Sequence, residues 1–404
     1  MIYLDNAATT PLHPSARAAI LPLLSEVYAN PSGVYTPARQ MRNAVDQVRQ
    51  TIAAGICASP TEVYFTSGGT EANNWALQGV VAASTGKHII TSAIEHHAIY
   101  NLCEFMKTAG CEVTYLPVDT QGFVSPRDVE EAIRPDTCLV SIMLANNEVG
   151  TVQPIAEISE ITKKHGILLH TDAVQAVGHM PIDVNALGVN LLSLSAHKFY
   201  GPKGIGALYI RKGTKISSLM YGGMQERNRR AGTENTIGIV GMGAAFTACL
   251  EEMPSDHARI TNLRDKLINR ILTEIPYTQL NGAGGDCLNK RLASNVNISF
   301  RFIEGESLLL YLDMHECYAS TGSACASGAL DPSHVLMALG LSHELANGAL
   351  RFSLGRENTD EDVDKLMEIL KPAVQKLRDS SPLYDDYIKS AAGLGAAPHD
   401  NRRP

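Results

Sequence analysis

Apolar residues between positions 62 and 210 fall into short runs, separated by stretches with helical spacing. The runs are Val63-Tyr64-Phe65, His88-Ile89-Ile90, Leu139 to Leu144, Gly166 to Leu169 and Leu191 to Leu194. Runs of this length alternating with amphipathic segments predict a largely parallel sheet covered by helices. Each run closes on polar or glycine residues: Thr66-Ser67-Gly68-Gly69-Thr70, Glu95-His96-His97, Asn146-Asn147-Glu148, His170-Thr171-Asp172 and Ser195-Ala196-His197-Lys198. Ligands of open α/β sheets bind outside the carboxyl ends of the strands, so one crevice lined by all these closing residues is expected. Before this region, Ser15 to Leu24 and Ala38 to Ile52 read as helices, the latter with Met41, Val45 and Val48 at helical spacing.

The pattern changes after Ile210. Gly222-Gly223 and Arg227 to Thr233 read as an exposed loop, Ile237 to Cys249 as a buried helix, and Asp256 to Ile275 as an amphipathic connector. A smaller α+β unit follows, with strands Asn295 to Phe300 and Ala349 to Leu354 and helices Glu306 to Met314, His334 to Leu339 and Asp360 to Leu377. The expected division is a large domain over 15–256, a small domain formed by 1–14 with 257–380, and a flexible tail over 381–404.

A chain of 404 residues exceeds one comfortable core, in keeping with two domains. Its charge, 34 − 42 = −8, argues against a nucleic-acid or membrane-surface protein, which would carry a basic stripe. The eight cysteines form no CxxC pair, so neither a zinc site nor a disulfide framework is expected. No secretory leader is apparent, and a reducing cytoplasm is the expected location.

Lys198 stands at a bend between the apolar run 191–194 and a second one, Ala207 to Ile210. Desolvation there disfavours the ammonium form, and a neutral amine can form a Schiff base with an aldehyde. Thr66 to Thr70 joins a strand to a helical stretch, where glycines and a helix N-terminus suit a single phosphate; a plain helix cap explains Ser67 or Thr70 equally well. Asp172 ends a strongly apolar run. It reads as a partner for a pyridinium nitrogen or as the N-cap of a helix starting at Ala173. An imidazole from His96-His97 could stack on a planar ring, and strand alternation predicts that only one of the two faces the crevice. Phosphate cradle, ring-nitrogen acid, stacking imidazole and Schiff-base lysine together describe pyridoxal phosphate chemistry.

The sequence closely resembles the NifS/IscS family of cysteine desulfurases, class V members of the fold type I (aspartate-aminotransferase-like) superfamily of pyridoxal-phosphate enzymes. The resemblance rests on YLDNAATT (3–10), FTSGGTEANN (65–74), EHHA (95–98), ANNEVGTVQPI (145–155), HTDAVQAVG (170–178), LSAHKFYGPKGIGALY (194–209), RRAGTEN (229–235), TGSACASGALDPSHV (321–335) and RFSLGR (351–356). It implies an α/β fold whose large domain has a mainly parallel seven-stranded sheet, beside a smaller α+β domain. By the same resemblance Lys198 carries the cofactor, His96 is the stacking acid/base, Asp172 meets the pyridine nitrogen and Gln175 the ring hydroxyl. Gly69, Thr70, Ser195 and His197 would hold the phosphate, with Thr233 supplied by a second subunit. Asn147 and Arg351 would fix the substrate carboxylate, and Cys325 would take the sulfur.

The expected protein is therefore a homodimer that converts L-cysteine to L-alanine and passes sulfane sulfur to an iron–sulfur scaffold or another acceptor. No metal site of its own is expected, although Cys325 could transiently share a cluster with a scaffold. A selenocysteine lyase or sulfinate-releasing relative, and a non-catalytic binding platform, are the rival readings; intact Lys198, Asp172, His96 and Cys325 speak against the last. The C-terminal tail does not resemble the scaffold-docking tail of the IscS branch.

Overall fold

The computed structural model describes residues 1–321 and 332–391. Seven strands form the principal sheet: β2 (Val63–Thr66), β3 (His88–Ser92), β4 (Glu112–Leu116), β5 (Thr137–Ser141), β6 (Leu168–Asp172), β7 (Leu191–Ser195) and β8 (Gly206–Ile210). Their order is β2-β8-β7-β6-β5-β3-β4. The pairs β7/β6, β6/β5, β5/β3 and β3/β4 are parallel, and β8 alone runs against its neighbours β7 and β2. Strands β2, β3, β5, β6 and β7 therefore present their carboxyl ends along one edge. Both faces of the central strands are buried, which explains why they read as continuous apolar runs.

Helices Thr36–Gly55 and Ile155–His165 contribute Val45, Val48, Ile52, Ile155 and Ile158 to a core on one side of this sheet. Helices Gly69–Ala83 and His97–Thr108 contribute Trp75, Leu77, Val80, Ile99 and Leu102 to the core on the other. A separate core surrounds an antiparallel sheet of order β12-β10-β9, formed by β9 (Thr278–Leu280), β10 (Asn295–Phe300) and β12 (Ala349–Ser353). The N-terminal strand β1 (Ile2–Tyr3) pairs with β11 (Cys317–Tyr318), so Ile2 and Leu4 belong to this second core.

One helix joins the two cores. The patterns expected over 237–249 and 256–275 merge into a single helix, Thr236–Glu274, of 39 residues and about 58 Å. Pro254 lies inside it without ending it, on an exposed stretch of the helix, and the carbonyl it leaves without an N–H is that of half-buried Leu250. Ile239, Met242 and Phe246 enter the large core, whereas Ile260, Leu263, Leu267 and Ile271 enter the small one. This helix is long and apolar enough to cross a membrane, and here its length is used to link two cores.

Part of the stretch expected to be a flexible tail is helical. Pro382–Ala391 forms a helix, whose Tyr384 and Tyr387 pack on Phe302 at ring separations of 5.5 and 4.9 Å and meet Tyr277. Aromatic packing against the small unit orders a stretch whose composition alone looks too polar to fold.

The ring of Phe246, on the long helix, stands edge-on at 5.6 Å from that of Phe199, which directly follows Lys198. Phe246→Ala is expected to cost about 3–5 kcal/mol, read as an earlier urea midpoint. Leu310→Ala, at an exposed position, should stay within about 0.5 kcal/mol.

Candidate active site

The carboxyl ends of the principal strands enclose a chamber of about 330 Å³ lined by Ala7, Ala8, Gly69, Thr70, Asn73, His96, His97, Met143, Asn147, Glu148, Asp172, Gln175, Ser195, His197, Lys198, His334 and Arg351, among others. Ten residues singled out from the sequence thus meet in one place: Gly69, Thr70, His96, Asn147, Asp172, Gln175, Ser195, His197, Lys198 and Arg351. Thr233 is exposed and borders a different cavity, with Ser67, Glu226 and Arg230. Cys325 lies outside the described residues.

Lys198 ends a short 3-10 turn, Ala196–Lys198, that directly follows β7. Its Nζ donates to the carbonyls of Ala7 and Ala8 at 2.6 and 2.7 Å. The N-terminal segment thus closes over the lysine, and Gln175 Nε2 donates to the Ala7 carbonyl at 3.0 Å.

Asp172, at the end of β6, is buried. Its Oδ2 accepts from Asn73 Nδ2 at 2.7 Å and its Oδ1 from the Val174 amide at 2.9 Å. The capping geometry foreseen for Asp172 is thus present, but no helix starts at Ala173; residues 174–179 form turns. One oxygen stabilises the turn, while the carboxylate as a whole borders the chamber.

Gly69 begins the Gly69–Ala83 helix at the chamber wall, and a Cβ on it would lie 2.6 Å from Val174 Cγ2. The close approach of helix and turn therefore requires glycine. The first amides of this helix have no intrahelical acceptor, and with the Ser195 side chain close to Gly68 and Gly69 they offer a cradle suited to an anion. His197 Nδ1 lies 3.1 Å from Thr9 Oγ1. Burial, with Lys198 and Lys203 nearby, pulls its pKa down to about 4, so the ring is neutral.

His96 and His97 differ from expectation. They belong not to a strand but to a helix start, where successive side chains turn by about 100° rather than 180°. His96 is the N-cap of His97–Thr108, and both rings line the chamber. His96 Nδ1 accepts from the Ala98 amide at 3.1 Å, which leaves the proton of the neutral ring on Nε2. Burial holds its pKa below the usual histidine value, outweighing the pull of Asp172. The His97 ring stands 4.9 Å from that of His334, whose Nε2 donates to the Glu95 carbonyl at 3.0 Å.

Arg351, on β12, reaches across from the small sheet and is buried. Its Nη2 donates to Asp5 Oδ1 at 2.9 Å and its Nη1 to the Asn147 carbonyl at 3.0 Å. Its Nε has no hydrogen-bond partner among the described residues.

Sequence reasoning missed the supporting carboxyls. Glu95 is fully buried, its Oε1 accepting from Ser92 Oγ at 2.6 Å and the Met143 amide at 3.0 Å, and desolvation raises its pKa to about 8. Glu148 accepts from the Ser333 hydroxyl, and burial raises its pKa to about 7. A glutamate inside a run-closing motif was the available signal, but burial shows only in three dimensions.

A sequence model of the aminotransferase class-V family matches residues 2–366. The cysteine desulfurase IscS of Methanosarcina thermophila is 54% identical over 384 residues, covering 95% of this chain and 94% of that protein. A solved structure described as a NifS-like protein is similar with a TM-score of 0.87 at 36% identity, over 93% of this chain and 100% of that one. Another, SspA in complex with cysteine, has a TM-score of 0.78 at 38% identity, over 88% and 99% of the two chains.

Glu95 and Glu148 are protonated in the folded chain at pH values where the unfolded chain has ionised them. Their contribution to stability is complete below the ordinary glutamate value near 4.5 and is lost as pH rises through about 7 to 8. Glu95→Gln should flatten the fall in urea midpoint between pH 5 and 9, by at least about 1 kcal/mol, the worth of one pKa unit. An unchanged slope would show that Glu95 is ionised in the fold.

Proposed function

The chain belongs to the aminotransferase class-V family, and on that premise we propose that it is a cysteine desulfurase, which converts L-cysteine to L-alanine and leaves the sulfur as a persulfide on its own Cys325. The observation that carries this reading is the joint placement of Lys198, Asp172, His96 and Arg351 around one chamber. In balance, L-cysteine and the Cys325 thiol become L-alanine and the Cys325 persulfide. The C–S bond of the substrate breaks, an S–S bond forms, and protons return to nitrogen and carbon.

The residues present fit pyridoxal 5′-phosphate. The glycine-led helix N-terminus, with Thr70, Ser195 and His197, would hold the phosphate; the Asp172 carboxylate would hold the ring nitrogen protonated; Gln175 would face the ring hydroxyl; His96 would lie against the ring; and Lys198 would supply the amine. When bound, this cofactor supplies an aldehyde for amine chemistry and an electron sink for the substrate Cα.

The chain's own groups do the rest. Arg351 and Asn147 orient the substrate carboxylate, and the existing Asp5–Arg351 pair keeps the guanidinium aimed across the chamber. Lys198 Nζ, held between the Ala7 and Ala8 carbonyls, removes the Cα proton. His96, in the lining of the same chamber, offers its Nε2–H as a donor. A Cys325 thiolate takes the sulfur, since the thiolate rather than the thiol is the nucleophile. The chamber of about 330 Å³ suits a cofactor and a small amino acid.

Assembly as a homodimer is part of the same reading. Leu24, Tyr28 and Val34 on one segment, and Tyr221 and Met224 on another, leave large apolar side chains exposed. Thr233, away from its own chamber, would complete the partner's phosphate cradle. The sulfur acceptor would be an iron–sulfur scaffold or another thiol protein.

The test is incubation with L-cysteine and excess dithiothreitol, which reduces the persulfide and frees its outer sulfur as sulfide, while alanine and sulfide are both quantified; equal release is expected, and an absence of alanine would sink the reading. Lys198→Ala should abolish turnover and the covalent chromophore. Asp172→Asn should keep the fold and lower turnover on the order of 100-fold, the usual cost of one preorganised electrostatic partner. Cys325→Ala should keep the cofactor but lose alanine formation. Mass spectrometry of the wild type after brief exposure to L-cysteine should find one added sulfur on the Cys325 peptide, and sulfur on another cysteine instead would refute that assignment.

A further inference from the structure

The turn that carries Lys198 is held from behind by side chains outside the chamber. The carbonyl of His197 accepts from the Thr10 amide and hydroxyl, both at 3.0 Å. That of Lys198 accepts from His179 Nε2 at 2.6 Å, that of Phe199 from Cys249 Sγ at 3.3 Å, and that of Tyr200 from the His13 amide at 2.8 Å. Four successive carbonyls are thus taken by donors from the N-terminal segment, the turn after β6 and the long Thr236–Glu274 helix. A buried carbonyl without a donor is costly, so each of these contacts fixes one peptide plane.

The contact at Lys198 is the one that bears on chemistry, and it is built into the fold. Gly178 has φ +83°, and a Cβ on it would lie 2.4 Å from Phe199 Cβ. Only glycine lets the turn after β6 press against the turn after β7, and this contact brings His179 under the lysine. A carbonyl oxygen accepts only, so His179 carries its proton on Nε2. Burial lowers the pKa of His179, which keeps that neutral tautomer in place. The Tyr200 ring stands 6.2 Å away, edge-on, and confines the imidazole from the side. His179 also borders, with Asp256, a cavity of about 30 Å³, space for a single water.

We infer that His179 is a positioning residue for Lys198: its Nε2–H fixes the lysine's own peptide plane, so that the side chain leaves the turn toward the Ala7 and Ala8 carbonyls in the chamber. The inference rests on the proposed role of Lys198 for its functional meaning, but its geometry is independent of that role. Without the donor, the Lys198 carbonyl is left unsatisfied, the plane rotates to find another partner, and Nζ loses its fixed approach.

The test uses full-length protein freed of cofactor, with His179→Met, which keeps the bulk without an N–H, and His179→Gln, whose amide N–H can reach the carbonyl. Acetylation of Lys198 is measured by peptide mass spectrometry relative to exposed Lys87. The Met variant should change this ratio at least about threefold, and the Gln variant should restore it to within about twofold of wild type. A general loss of stability would move both lysines or neither. A Met variant with the wild-type ratio, or a Gln variant as disturbed as Met, overturns the inference. Should the Met variant not fold, the Gln variant decides alone: wild-type labelling supports the role and altered labelling refutes it. Separately, borohydride fixation of pyridoxal phosphate to the wild type identifies the lysine that holds it. Fixation elsewhere than Lys198 would sink the functional reading while leaving the positioning geometry to the labelling result.

Discussion

Everything around the chamber depends on the path of residues 5–13, which lie between the two cores and bond to both. Asp5 pairs with Arg351 of the small sheet, the Ala7 and Ala8 carbonyls accept from Lys198 Nζ, and Thr10 and His13 hold the carbonyls behind the lysine. The Ser353 amide donates to the Leu4 carbonyl, which locks this segment to β12 at its start. A buried ion pair such as Asp5–Arg351 adds little net stability, because desolvation offsets the attraction. Its value is in specificity: it sets the position of a cation from one unit against an amine from the other. The geometry of the chamber therefore depends on contacts between both cores, and neither core contains it alone.

Burial sorts the ionisable groups of this region by charge state. Glu95, behind the chamber, and Glu148, in its lining, have pKa values raised to about 8 and about 7, while His197 is held near 4 and His96 below its ordinary value. Carboxyls raised and imidazoles lowered by burial thus surround Arg351, which is paired with Asp5, and Asp172, which accepts from the Asn73 amide. An ionised Glu95 would repel Asp172, and the burial that holds its proton avoids a second negative charge there, while Glu148 has Arg351 as its charged neighbour.

The ends of the central strands were legible in the sequence because buried parallel strands are continuously apolar and stop at the residues that face a ligand. The edge strand β4 escaped notice, since Glu112–Leu116 is mostly half-exposed and mixes polar with apolar residues. Strands β1, β9 and β11 are too short to show a period. His97 was misread because the chain had already left the strand for a helix N-terminus. Asn73, His334 and the Glu95 carboxyl reach the site through contacts 48 to 239 residues apart in sequence, which only the sheet order creates. His179 lay just past a recognisable motif, with nothing in its neighbours to mark it as the donor under Lys198.

The register of the strands explains how distant residues arrive level with one another. His170 on β6 is fully buried, with its ring nitrogens 2.9 Å from Ser141 Oγ on β5 and 3.0 Å from Ser193 Oγ on β7. Desolvation pulls its pKa down to about 3, so the ring is neutral and needs one donor and one acceptor. The two hydroxyls supply both. His88 makes the same kind of rung on β3, between Thr137 on β5 and Thr114 on β4. Side chains two apart on a strand share a face, so the His170 rung lies on the same side as Asp172, and Ser193 on the same side as Ser195. A slip of one residue between β6 and β7 would leave His170 without a hydroxyl in an apolar interior and would turn Asp172 away from the chamber. The polar rung therefore penalises the wrong register at the very pair of strands that carries the carboxylate and the lysine turn.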